Sequence, residues 1–99
     1  MLENKADEAI SYFKKALELN KNNSAAHFRL GMIYSRTGKL AEGSEELKKT
    51  IELRPDVGFY RLELFHLYKQ LGEKAKATEE LARAIALDTG IETTLVGKE

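Results

Sequence analysis

Apolar residues recur along most of this chain at three- and four-residue steps, the spacing of amphipathic helices. Over residues 4–19, Ala6, Ala9, Ile10, Phe13, Ala16 and Leu17 fall on one stripe, with Lys14, Lys15 and Glu18 mostly off it. Asn20, Lys21, Asn22 and Asn23 break the pattern, and Asn23 or Ser24 is placed to accept a bond from the free amides of a second helix over 24–37. That helix carries Phe28, Leu30, Met32, Ile33 and Tyr34, and Gly38 follows it, where a left-handed cap comes easily to glycine. A third helix is predicted over 39–53, with Leu40, Leu47, Ile51 and Leu53 as its large apolar set. Pro55 disfavours helical geometry at Arg54, and Asp56 is the expected cap of a fourth helix over 57–71. Phe59, Tyr60, Leu62, Leu64, Phe65, Leu67, Tyr68 and Leu71 make this fourth helix apolar on more than one face. Gly72 stops it, and a fifth helix over 73–87 repeats a small and large alternation in Ala77, Leu81, Ala84 and Ile85. Residues 90–99, rich in β-branched side chains, are predicted to be a flexible tail.

A shift of 34 residues superimposes these segments. Gly38 lands on Gly72, Ala9 on Gly43 and Ala77, Phe13 on Leu47 and Leu81, Ala16 on Thr50 and Ala84, and Leu19 on Leu53 and Leu87. Small residues mostly fall on small and large apolar on large apolar, as stacked helical repeats require.

The unit over 24–55 resembles the tetratricopeptide repeat, whose pattern is W-x-x-L-G-x-x-Y, then A-x-x-x-F, then P. His27 takes the tryptophan place, Leu30, Gly31 and Tyr34 match, Gly43 and Leu47 stand for Ala and Phe, and Pro55 closes the unit. Ala9 and Phe13 match in the first unit, and Leu64, Tyr68, Ala77 and Leu81 in the third. The resemblance implies an all-α, antiparallel helix-pair solenoid of five helices, a right-handed superhelix. It divides the chain into one repeat domain over 1–89 (half repeat 4–23, full repeats 24–57 and 58–89) and the tail 90–99. Small residues at Gly31, Gly43 and Ala77 are expected to let paired helices approach closely. Phe65 departs from the pattern where Gly31 stands, so the fourth helix is expected to tilt or splay there.

The 99 residues carry 16 basic and 16 acidic side chains, interleaved, which argues against nucleic acid or an anionic membrane surface as partner. Without cysteine there are no disulfides and no thiolate zinc sites. No stretch approaches the roughly 18 apolar residues that a membrane helix needs, so a cytoplasmic location is expected. Glu45 with Lys49 and Glu79 with Arg83 are expected as exposed helix-supporting pairs.

In the family, the first helix of each unit lines a concave groove. The resemblance maps that lining onto Ala25, Phe28, Arg29, Met32, Ser35 and Arg36, then Phe59, Leu62, Glu63, His66, Lys69 and Gln70. Phe28, Met32, Phe59 and Leu62 suit a short apolar or helical peptide, with Arg29, Arg36 and Lys69 placed to meet carboxylates. A clamp for a C-terminal carboxylate, found in some relatives, is not expected, because its places hold Arg29, Phe59 and Glu63. His66 and Glu63 stand one helical turn apart, but no nucleophile, third ligand or phosphate loop accompanies them, so no enzyme, cofactor or metal site is expected. His27 is expected to pack between helices, and the four tyrosines are packing residues by default.

The first unit lacks its first helix, which leaves Ile10, Phe13 and Leu17 short of a neighbour. The chain is therefore read as a segment of a longer repeat protein, ahead of one that pairs with its own copy or borrows a partner's helix. The expected function is protein–protein interaction through the groove. The alternative is homo-oligomerisation through helix one, at Ile10, Phe13 and Leu17, or through the tail, whose alternation of Ile91, Thr93 and Leu95 with Glu92, Thr94 and Val96 suits an extended peptide lying in a neighbour's groove.

Overall fold

Five α-helices follow one another with short turns: α1 Leu2–Leu19, α2 Ser24–Arg36, α3 Leu40–Leu53, α4 Gly58–Leu71 and α5 Lys74–Leu87. The computed structural model describes residues 2–88, so the expectation for a tail at 90–99 lies outside them. Each helix packs on the next, most extensively α2 on α3 and α4 on α5. The result is an all-α solenoid.

Backbone chemistry at the turns explains the order. Gly38 and Gly72, one repeat apart, hold φ of +85° and +79°, a conformation that costs other residues a clash with Cβ. The amides of Lys39 and Glu73 behind them donate to the carbonyls of Tyr34 and Tyr68, closing both turns alike. Asn23 caps α2, its side chain accepting from the Ala26 amide at 3.1 Å. Asp56 does not cap α4. The N-cap is Val57, without a side-chain bond, and Asp56 instead faces Arg54 across 3.9 Å.

Packing repeats with the same period. Leu47, Ile51, Leu64, Leu67, Tyr68 and Ala77 form one buried cluster that joins α3, α4 and α5. Thr50 and Ala84, equivalent by the 34-residue shift, are both 0% exposed. Thr50 is tolerated there because its hydroxyl donates to the Glu46 carbonyl at 2.9 Å. Between α2 and α3 the backbones meet at glycine. A Cβ added to Gly31 would lie 3.3 Å from the Gly43 carbonyl oxygen, and one on Gly43 would lie 3.1 Å from that of Gly31.

Phe65 does not splay α4 from α5, which pack as extensively as the α2–α3 pair. Its ring is only half-buried, lying 5.0 Å from the His66 ring with the Lys69 ammonium 5.3 Å above it, while Ala77 fills the contact.

Ion pairing differs from the sequence expectation by one residue. Glu45 pairs with Lys48 at 3.4 Å rather than with Lys49, which lies 3.9 Å from Glu46. Arg83 pairs with Glu80 rather than with Glu79. Glu80 is buried, and Arg61 of α4 holds it at 2.9 Å, so the carboxylate that attracts Arg83 is fixed by a bond between helices. The matching bond in the preceding unit joins His27 Nδ1 to Glu46 at 2.7 Å. Both pairs span 19 residues, and both cross from the first helix of a unit to the second. Lys48 also stands 6.0 Å from the Tyr68 ring. Burial works to lower its pKa, but Tyr68 and Glu45 outweigh this and raise it above the usual lysine value.

Two stability outcomes follow from this packing. Leu47→Ala empties a site that is 1% exposed and should cost about 2–5 kcal/mol in urea unfolding, whereas Leu19→Ala, at 90% exposed, should change stability by less than about 0.5 kcal/mol. Equal losses would mean that α1 is buried where this structure leaves it open. A double-mutant cycle on Arg61 and Glu80 should give a coupling of about 1–2 kcal/mol, against roughly zero for the exposed Lys48–Glu45 pair.

Candidate peptide-binding face

The lining implied by the repeat falls on α2 and α4, and the structure joins the two helices through rings. Phe28 lies 5.9 Å from Phe59 and 5.0 Å from Tyr60, centroid to centroid, with tilted planes. Such offset contacts are favourable because the edge of one ring meets the face of another. Phe28 and Tyr60 are half-buried, but Phe59 stays 50% exposed. Met32, Ser35, Leu62 and Glu63 are half-buried, and Ala25, Arg29, Arg36, His66, Lys69 and Gln70 are exposed. The face is therefore an apolar patch with a polar margin.

Its electrostatics are one-sided. Among the described residues, the ion pairs hold neither Arg29 nor Arg36, and Lys69 rests on the Phe65 ring rather than on a carboxylate. Three unneutralised cations thus stand with one carboxylate, Glu63. Tyr60, a packing residue by sequence, also belongs to this face. Its place beside Phe59 on one helical turn was the available signal, but only the crossing of α2 and α4 brings it to Phe28. Phe65 was likewise read only for its size, and its i to i+4 spacing to Lys69 is what makes it a platform for the ammonium.

Other candidates resolve differently. No hydrogen bond or ion pair joins His66 to Glu63 among the described residues, and His66 instead lies against Phe65. His27 is buried between helices as expected, with a role beyond packing. Its Nδ1 meets Glu46, and its Nε2 donates to the Lys21 carbonyl at 2.9 Å, tying the turn before α2 to α3. The tryptophan place of the repeat is thus filled by a polar side chain whose two nitrogens both face acceptor oxygens.

Ile10, Phe13 and Leu17 on α1 are all half-buried. Shifted by 34 residues they become Ser44, Leu47 and Ile51, and Ile51 lines a hollow with Leu64 and Tyr68 of α4. By that equivalence Leu17 lies towards α2.

Known proteins bear on this arrangement in two ways. A tetratricopeptide repeat profile matches residues 1–59, and a second tetratricopeptide repeat profile matches 66–90. Among solved structures, MamA MSR-1 superimposes with a TM-score of 0.80 at 29% identity, covering 86% of this chain and 49% of its own. MamA AMB-1 gives 0.79 at 30% identity, covering 85% and 49%. YrrB, a TPR protein with an unusual peptide-binding site, gives 0.82 at 26% identity, covering 96% and 49%. The chain spans about half the length of these structures. Comparison with curated protein sequences finds no significant match. No helix among the described residues is long and apolar enough to cross a membrane. With one profile spanning residues 1–59, more than half of its length, and paired helices repeating at 34 residues, the chain belongs to the tetratricopeptide repeat family.

Proposed function

We propose that the chain is a protein–protein interaction module without chemistry of its own, and that its α2–α4 face takes a short peptide or partner helix. The occupant carries an apolar side chain beside carboxylates. One observation supports this most directly. Phe59 keeps half of its surface in water while seated on Phe28 and Tyr60, and Arg29 and Arg36 stand exposed on the same pair of helices with no ion-pair partner among the described residues.

The energetic reasoning is general. An apolar side chain laid over Phe59 removes surface from water on both partners, at about 25 cal/mol per Å², and orients the peptide. Guanidinium groups at the margin then select carboxylates through paired N–H donors, adding on-rate and specificity more than raw affinity. Because both helices are fixed by neighbours on either side, little of the binding free energy goes into ordering the receptor. A carboxylate clamp of the kind found in some relatives does not fit, since Arg29, Phe59 and Glu63 occupy its places and Glu63 would repel a chain terminus.

The test uses a labelled twelve-residue helical peptide with leucines on one face and glutamates flanking them, against the same peptide with lysines for glutamates. The glutamate peptide should bind in the micromolar range, at least tenfold tighter than the lysine peptide, and should weaken as salt rises. Phe59→Glu should weaken it tenfold or more without lowering the melting temperature, and Arg36→Glu by several-fold. Equal affinity for the two peptides, or indifference to Phe59→Glu, would sink this reading.

A further inference from the structure

His27 and Arg61 hold the same place in successive units, and each meets a carboxylate 19 residues further on, Glu46 at 2.7 Å and Glu80 at 2.9 Å. A guanidinium keeps its charge throughout the pH range in which proteins are folded. Histidine does not, since its side chain changes charge between about pH 5 and 8. One bond, repeated along the chain, is thus made by two unlike groups.

The contacts of the ring decide which form it takes. Nδ1 faces Glu46 Oε1, and Nε2 lies 2.9 Å from the Lys21 carbonyl oxygen, so an acceptor stands before each nitrogen. A neutral imidazole has one N–H, and either tautomer would set a lone pair against one of these oxygens. His27 is 7% exposed, so little water reaches it to relieve that contact. A proton placed on Glu46 instead would sit on a carboxyl whose Oε2 lies 3.9 Å from the Lys49 ammonium, which attracts the ionised form. Other charges near the ring balance. Lys21 and Asn22 of the turn and Lys49, Glu52 and Leu53 of α3 line the hollow beside it, so Lys21 and Lys49 stand against Glu46 and Glu52. Among the described residues no ion pair reaches it from α1 or α4. Direction, rather than net charge, sets the form of the ring.

We infer that His27 is held as the imidazolium, so that the unit over 24–57 is pinned by a proton that rising pH removes. The sign follows from the bonds. In the folded chain a lost proton takes a hydrogen bond with it, whereas in the unfolded chain both oxygens turn to water. The pin therefore acts in full at acid pH and is lost as pH rises through the histidine range. Phe28 and Arg29 follow His27 directly on α2, and the ring also ties the turn before α2 to α3. Release loosens α2, while Arg61 still holds α4 to α5. This is independent of any ligand on the α2–α4 face.

The chain has two histidines, so the test is direct. Nitrogen-15 NMR of the 99-residue chain reads the ring itself, with exposed His66 as reference in the same spectrum. Near neutral pH both nitrogens of His27 should carry protons. The melting temperature should fall by roughly 4–8 °C between about pH 5.5 and 8, the loss of one charge-assisted bond in a chain of this size. His27→Gln should flatten that profile, and His66→Gln should leave it unchanged. A His27 ring with one bare nitrogen near neutral pH overturns the inference, as does a profile that keeps its slope in His27→Gln. Should that variant fail to fold, the NMR of the native chain still decides.

Discussion

Gly31 and Gly43 bring the backbones of α2 and α3 so close that a Cβ on either would lie 3.3 or 3.1 Å from the other's carbonyl oxygen. That approach sets the spacing on which the other contacts of the unit depend. One turn before Gly31, the short side chain of His27 can reach Glu46 at 2.7 Å because the helices are already close. One turn after Gly43, Leu47 fills the remaining space and is 1% exposed. In the next unit Phe65 and Ala77 replace the two glycines, and the longer reach of Arg61 restores the same bond to Glu80. The partner changes with the packing, while the carboxylate and its 19-residue span do not.

Such a bond, largely out of water, is weak evidence for stability and better evidence for register. Desolvation offsets much of the attraction, but a helix slid by one turn would leave the carboxylate without its partner. His27 adds the turn before α2 through the Lys21 carbonyl, so one ring fixes three segments. Apolar stripes tolerate sliding more readily than directional bonds do. The repeats therefore combine an unspecific driving force with a specific pin, and the α2–α4 face inherits its geometry from that pin.

Much of this was legible in the sequence, for stated physical reasons. Gly38 and Gly72 announce the turns because backbone at φ near +80° excludes most other residues. The stripes give five helices because burial on one face imposes three- and four-residue spacing. What the sequence hid were choices made between helices. Whether Lys48 or Lys49 meets Glu45 is a rotamer question, and whether Glu79 or Glu80 turns inward depends on Arg61, a residue 19 positions away. Phe65 was expected to wedge α4 from α5, but aromatic rings can rotate outward, and Lys69 and His66 receive it there. The lining of the α2–α4 face came from the repeat register, yet its Phe28–Phe59–Tyr60 contact needed the crossing of two helices.

Stacked helices also make burial a local quantity, since each helix is covered only by its neighbours. That is why Ala16 can be compared with Thr50 and Ala84 as though the same site were observed with and without a cover. The comparison separates two kinds of exposed apolar surface. Phe59 is exposed although α4 has α3 and α5 beside it, so its exposure belongs to the face that the repeat presents. Tyr12 is exposed where the equivalent carboxylates in α3 and α5 are held by the preceding helix of their unit. A ligand for the first surface must match aromatic rings and free cations.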